Sequence, residues 1–404
     1  MGEPVDDVVS IDTLAAVAGV ALVAAVLVGL LPRLPVPQVV LLLAGGVLIG
    51  PDVLGLGSPA GVRVLADVGL GFVFLLAGYE IDLRMFREDA GRRALASWAI
   101  SFGLATGVVA VLSAAGLVEA LLPVALALTT TALGTLLPVL REAGLLGGRL
   151  GRYLLATGGA GELLPVLVIA VFLGSQGRVT ALACLLGVGV LAAALGLLRH
   201  GVREGSRLAD VVRAGQNETA QITVRGTLLL LLTLVAVTDR FHLDAVLGAF
   251  LAGLVLRRWV GTAAPLLESK LDALGYGFFV PLFFVYSGMN LDLQAIAGAP
   301  LRLVLFLVLM LAVRGGPVLL VYRGVLAWRE RCQTALVSAT ALPVLVALTE
   351  IAVRSGTMTT EDAAALVGAG VVTVLVLPAL VVTLGRRPAE PAPVPPGSPV
   401  GPSR

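Results

Sequence analysis

Apolar runs long enough to cross a bilayer follow one another along almost the whole of this chain, and that succession leaves few folds open to it. Inside hydrocarbon a backbone N–H or C=O without a partner costs several kcal/mol, so a crossing segment has to satisfy its own backbone, as a helix does. A ~30 Å core takes about 20 helical residues at ~1.5 Å each. Roughly thirteen runs can be traced: about 10–32, 36–50, 63–83, 93–115, 121–140, 151–174, 179–198, 221–238, 243–256, 271–289, 300–322, 331–353 and 361–384, several of them short or interrupted by Gly and Pro. Hydrophobic residues make up 58% of the chain and charged residues only 13%, against the ~25% charged content of soluble domains. The chain therefore reads as an all-α polytopic membrane protein with about 13 transmembrane helices. Its first run follows the acidic stretch 1–7 and lacks a basic leading region or a small-residue cleavage site, so it reads as a retained span. Cys184 and Cys332 fall in or beside spans and imply neither a disulfide framework nor a metal site.

The basic residues orient these spans. Alternate loops carry Arg33; Arg84, Arg87, Arg92 and Arg93; Arg141, Arg149 and Arg152; Arg199, Arg203, Arg207 and Arg213, with Arg225 just inside the next span; Arg257, Arg258 and Lys270; Arg323, Arg329 and Arg331; and Arg386, Arg387 and Arg404. The opposite loops carry Arg63, Arg178, Arg240, Arg302 and Arg354, a ratio of 22 to 5 with Arg314 left in the membrane. The positive-inside rule then predicts an external amino terminus and a cytoplasmic carboxyl terminus in the plasma (inner) membrane. An even number of spans would break the alternation, which favours thirteen.

The chain also resembles itself. Leu43-Ala44-Gly45-Gly46-Val47-Leu48 returns as Leu251-Ala252-Gly253-Leu254-Val255-Leu256, and Gly69-Leu70-Gly71-Phe72 as Gly275-Tyr276-Gly277-Phe278. Gly78-Tyr79-Glu80-Ile81-Asp82-Leu83 returns as Gly288-Met289-Asn290-Leu291-Asp292-Leu293, and Thr131-Ala132-Leu133 as Thr340-Ala341-Leu342. Each member of the last pair is followed by Pro-Val-Leu, at 138 and 343, and the four matches stay in order at an offset of 205 to 210 residues. Seven spans separate each pair, an odd number, so the copies have opposite orientations. A six-plus-six inverted repeat is a transporter signature. The expected organisation is an external segment 1–9, a first repeat 10–174, a linker span with a cytoplasmic interfacial helix 175–220, a second repeat 221–384, and a Pro-rich disordered cytoplasmic tail 385–404.

Two ionisable residues lie at membrane depth. Glu162 sits about a dozen residues from either end of its run, ~18 Å by helical rise, and Arg314 lies deep in the run 300–322. A carboxylate there is expensive unless paired, protonated or wetted, and its default reading is an ion or proton site. The fifth span carries Thr129, Thr130 and Thr131 at mid-depth, followed by Gly134 and Pro138; its repeat partner carries Ser338 and Thr340, followed by Pro343. Gly134, Pro138 and Pro343 predict breaks in these two spans. Irregular backbone survives at that depth only where it is buried in protein or lines a wet cavity. Hydroxyls and freed carbonyls are hard oxygen ligands suited to a small cation. The charges of Glu162 and Arg314 are placed to neutralise half-helix ends.

The strings Leu43–Gly57, Leu65–Leu83, Thr130–Glu142, Leu247–Leu256 and Gly275–Leu293 resemble the monovalent cation:proton antiporter superfamily, in its bacterial sodium or potassium/proton exchanger branch, and the likeness extends from about residue 10 to 384. The resemblance implies two crossed discontinuous helices, spans 5 and 12, in a core domain that moves against a dimerisation domain, and hence a homodimer. It also implies an ion-binding carboxylate on span 6, usually preceded by a second acid or an amide. Here the pair is Gly161-Glu162, which gives Glu162 the role of shared ligand for the transient metal cation and the proton, with Thr129, Thr130, Thr131, Ser338 and Thr340 around it. Arg314 matches the basic partner on span 11 and cannot release a proton at accessible pH. A single acid predicts electroneutral, one-for-one exchange, and the longer Glu side chain shifts the ligand oxygens by about one methylene.

Asp67, Glu80, Asp244, Asp272 and Glu350 lie near span ends and read first as solvated side chains; His200 and His242 read as loop residues. No nucleophile–base constellation, Walker motif or dinucleotide fingerprint occurs, so the expectation is no enzyme, no cofactor and no nucleic-acid partner. The partners expected are a monovalent cation, the proton and the lipid bilayer. Two alternatives stay open: a proton-coupled transporter of another, organic ion on the same fold, and a non-transporting membrane sensor or subunit.

Overall fold

The computed structural model describes residues 10–30, 37–172, 221–240, 245–260, 264–298 and 300–385. Among them every regular element is helical. In chain order these are α1 (Ile11–Leu30), α2 (Gln38–Ile49), α3 (Arg63–Glu80), α4 (Asp89–Ala114), α5 (Leu121–Ala127), α6 (Leu133–Glu142), α7 (Gly148–Phe172), α8 (Ile222–Arg240), α9 (Ala245–Val260), α10 (Ala264–Leu274), α11 (Val280–Met289), α12 (Leu293–Gly298), α13 (Pro300–Met310), α14 (Gly316–Val321), α15 (Trp328–Ala339), α16 (Pro343–Arg354) and α17 (Thr360–Gly385). Single wide turns join α10 to α11 and α13 to α14, so each pair forms one long helix. Every expected span except the seventh corresponds to one of these helices or helix pairs. The seventh span, the interfacial segment 203–220, the external segment 1–9 and the tail from 386 lie outside the described residues.

The fifth and twelfth spans are broken as expected, but the break in the first of them is elsewhere. It occupies 128–132, between α5 and α6, so Gly134 and Pro138 lie inside α6 and do not make the break. The physical reason is the crossing partner. The Thr131 N–H donates to the Gly161 carbonyl at 3.0 Å and the Ala132 N–H to the Thr340 carbonyl at 2.8 Å, so both donors leave the helix ladder where another helix offers an acceptor. Pro343 stands where expected, at the first position of α16, just past the break at 340–342.

The inverted repeat is visible in the packing. α2 crosses α11 with Gly46 against Gly288, and α3 crosses α9 with Gly78 against Gly253. A Cβ on Gly46 would overlap the Val285 carbonyl and one on Gly288 the Leu43 carbonyl; the second crossing repeats this with Leu75 and Phe250. Backbone rests on backbone at both crossings, which only glycine permits. The geometry moves one alignment by a residue: Gly46, not Gly45, is the counterpart of Gly253. α6 and α16, the second halves of the two broken spans, end on the same cap. Gly144 and Gly356 (φ 68° and 69°) adopt the left-handed conformation, and the following N–H reaches back to Leu140 and Ala352.

The helices form two groups. α1, α2, α3, α8, α9, α10 and α11 pack chiefly on one another; α4, α5, α6, α7, α13, α14, α15, α16 and α17 form the other group. Few contacts cross the boundary, chiefly α7 on α9 and α16 on α3. On the arginine-poor side Arg354, at the end of α16, closes that boundary: it bonds Asp67 of α3, the Tyr286 hydroxyl of α11 at 3.0 Å, and Glu350 of its own helix at 3.0 Å. The glycine crossings generate a direct test. Gly78→Ala is expected to destabilise the detergent-solubilised protein by about 1–3 kcal/mol or more, whereas Gly107→Ala, where a Cβ meets nothing within 4 Å, should leave its thermal unfolding midpoint unchanged. Equal midpoints for the two variants would show that the crossing is not close-packed.

Candidate ion-binding site

Four half-helix ends meet where the broken spans cross: the C-terminal ends of α5 and α15 and the N-terminal ends of α6 and α16. Each end carries unsatisfied backbone groups and a partial charge, positive at an N-terminus and negative at a C-terminus. Two buried side chains answer two of them. Glu162, 4% exposed on α7, accepts from the Gly134 N–H at 3.2 Å with the Leu133 N–H also facing it, and so caps the positive end of α6. Arg314, 1% exposed in the wide turn between α13 and α14, donates through Nε to the Ser338 carbonyl at 3.2 Å, at the negative end of α15.

Arg314 also donates from Nη2 to Thr131 Oγ1 at 2.6 Å, and that hydroxyl in turn donates to the Ser338 carbonyl at 2.8 Å. Ser338 Oγ donates to Ala335 O at 2.8 Å, with the Arg314 carbonyl at 3.3 Å. Thr131, Ser338 and Arg314 thus form one clamp across the crossing. No ion pair joins Arg314 to Glu162 among the described residues. A Cβ at Gly161 would overlap Thr131 Oγ1 and crowd Arg314 Nη2. The clamp fills the space that a side chain at 161 would need, which is why no second acid or amide precedes Glu162.

The other hydroxyls expected at the site turn to their own helices. Thr129 donates to Leu126 O at 2.8 Å, Thr130 to Ala127 O at 2.9 Å, and Thr340 to Leu336 O at 2.9 Å. All three are buried, and each hydroxyl oxygen keeps lone pairs. Two partners were not signalled by the sequence: Trp98, whose ring N–H donates to Thr129 O at 3.2 Å, and Thr373, which bonds both the N–H and the carbonyl of Ala341. Glu162 is different in kind. Its Oε2 is buried and has no hydrogen-bond partner among the described protein groups.

A second carboxylate lies beside it. Glu80, the last residue of α3, places Oε2 3.1 Å from where a Cβ on Gly134 would stand, and this oxygen too is buried without a partner. Expected at a solvated span end, Glu80 instead faces the same turn of α6 that Glu162 caps. A signal was present in the sequence. The repeat match sets Glu80 against Asn290, an acid against an amide.

Chains of known kind share this architecture. Residues 19–386 match the family described as sodium/hydrogen exchanger, transmembrane. The chain belongs to that family. Relatives include the protein named "putative Na(+)/H(+) antiporter YjbQ" of Bacillus subtilis, 27% identical over 299 residues, covering 69% of this chain and 47% of that protein. Cation/H(+) antiporter 19 of Arabidopsis thaliana is 27% identical over 285 residues, covering 65% of this chain and 35% of that protein. The chain spans about half or less of the length of these curated relatives. The solved structure of the sodium proton antiporter MjNhaP1 from Methanocaldococcus jannaschii at pH 8 shares the fold, with TM-score 0.68 at 17% identity, covering 92% of this chain and 97% of that one. As a member of this family the chain is a multi-pass membrane protein.

The clamp can be tested apart from any transport. Arg314→Gln is expected to lower stability by roughly 1.5–3 kcal/mol, the usual worth of a hydrogen bond to a charged group, and Arg314→Lys to recover part of it, since an ammonium restores the charge but not the fork. Thermal unfolding in detergent gives the comparison; a Gln variant as stable as the parent would remove Arg314 from the crossing.

Proposed function

We propose that this protein is a secondary active transporter that exchanges a monovalent cation, sodium or potassium, for protons by alternating access. Glu162 is the shared site. The observation that carries this reading is its Oε2: a buried carboxylate oxygen at a half-helix end, unpartnered, while the buried guanidinium close by is engaged elsewhere. A charge so placed is costly unless something neutralises it. A proton or a small cation can do so, and each excludes the other. If the empty, charged state cannot complete the movement, the site carries one or the other in each direction, which is antiport.

The two helix groups supply the movement. Glu162 travels with α7 and the crossed helices, while α3, α9 and α11 form the opposing surface. With Arg354 joining the groups on the arginine-poor side, access to Glu162 lies on the arginine-rich side, which the positive-inside rule makes cytoplasmic. The protein then sits in the plasma (inner) membrane, amino terminus outside and carboxyl terminus inside, as a homodimer through the α1-side group. One mobile acid gives one-for-one, electroneutral exchange. The hydroxyl and carbonyl oxygens of Thr129, Thr130 and Thr340 are the nearest remaining hard ligands, while Thr131 and Ser338 hold the crossing.

The test is proton flux in proteoliposomes given sodium, potassium or an organic cation in turn, with and without an imposed voltage. Sodium- or potassium-dependent flux that voltage does not alter is expected, and Glu162→Gln should abolish it. Flux retained in that variant would exclude Glu162 from the mechanism; flux driven only by organic cations would replace the substrate class.

A further inference from the structure

One guanidinium spans the boundary between the two helix groups. Arg354 stands in the last turn of α16, in the group of the crossed helices, and all three of its nitrogens are engaged. Nη1 bonds the Asp67 carboxylate of α3, and Nη2 donates to the Tyr286 hydroxyl of α11 at 3.0 Å; both partners belong to the group held by the glycine crossings. Nε donates to Glu350 of its own helix at 3.0 Å, which aims the fork, and the guanidinium carbon lies 5.6 Å over the Tyr286 ring. Among the described residues no other ion pair joins the two groups. A lone surface pair contributes little, but here a fork held by Glu350 meets a carboxylate and a buried tyrosine at once.

The repeat does not carry the same set to the other face. α6, the repeat mate of α16, has Arg141 in its last turn, exposed and in no ion pair among the described residues. The aligned strings set Leu76 against Tyr286 and Ala273 against Asp67, and neither of those side chains can bond a guanidinium.

We propose that Arg354, Asp67 and Tyr286 form a latch that closes the arginine-poor side and favours the conformation open to the arginine-rich side, so that each transport cycle has to break it. The proposal rests on the two groups moving against each other, as in the reading above. A contact made in only one of two conformations shifts their equilibrium and leaves the intrinsic affinity of the cation site alone. The apparent affinity on a face is the intrinsic one scaled by the fraction of molecules open to that face. Loosening the latch therefore raises the apparent affinity on the arginine-poor face and cannot raise it on the other. A cation ligand would alter both faces alike, and a merely structural residue would lower the amount of folded protein without separating the faces.

Side-specific kinetics decide it. Sodium and potassium chloride are titrated on each face separately, in everted and right-side-out vesicles bearing the full chain. Asp67→Ala is expected to lower the half-saturating cation concentration on the arginine-poor face about three- to tenfold, with the arginine-rich face unchanged or raised. Arg354→Gln should do the same, and Arg354→Lys, which keeps the charge but not the fork, should fall between it and the parent. Asp67 is exposed, so its variant serves if Arg354→Gln fails to fold. Shifts in the same direction on both faces, no shift on either, or a rise on the arginine-poor face would overturn the proposal. Glu162→Gln is silent from both faces if the underlying reading holds; exchange persisting there would defeat that reading, whatever the latch variants do.

Discussion

The structure depends on how unwound backbone is satisfied in the middle of a membrane. Two helices that lose their ladders at the same depth expose N–H and C=O groups that lipid cannot bond, and each such group costs several kcal/mol. Here they are answered by neighbouring helices: Ala132 by Thr340 of the crossing span, Thr131 by Gly161 of α7 and Ala341 by Thr373 of α17. The residual charge at two of the four ends is met by Glu162 and Arg314. One consequence is that the charges of opposite sign need not touch. Each is held by a helix end, so the guanidinium is anchored while one carboxylate oxygen stays available.

Much of this was legible in the sequence because its causes are local. Span lengths follow from hydrocarbon thickness, and the inverted repeat from four collinear strings an odd number of spans apart. Glu162 and Arg314 stand out because ionisable residues at that depth are rare. What could not be read depends on a partner helix. The break before α6 sits at 128–132, ahead of Gly134 and Pro138, because Gly161 and Thr340 offer acceptors there. The vacancy at Gly161 follows from where a guanidinium 153 positions later comes to rest. Thr131 looked equivalent to Thr129 and Thr130, yet it alone receives the Arg314 donor.

Glu80 illustrates the same limit from the other side. Its position at the end of α3 suggests a side chain reaching water, and it is half-buried as that reading requires. Nothing local reveals that α6 begins against it. The asymmetry between Glu80 and Asn290 is nonetheless written in the repeat.

The glycine crossings carry a mechanical implication. Where main chain lies on main chain, as at Gly46 with Gly288 and Gly78 with Gly253, no side chain is present to change rotamer and absorb a displacement, and sliding by one residue would drive a Cβ into a carbonyl. Such a joint is keyed like a shaft in its housing, twice over. The four helices it fastens form one keyed block, and only side chains are interposed at the seam with the other group.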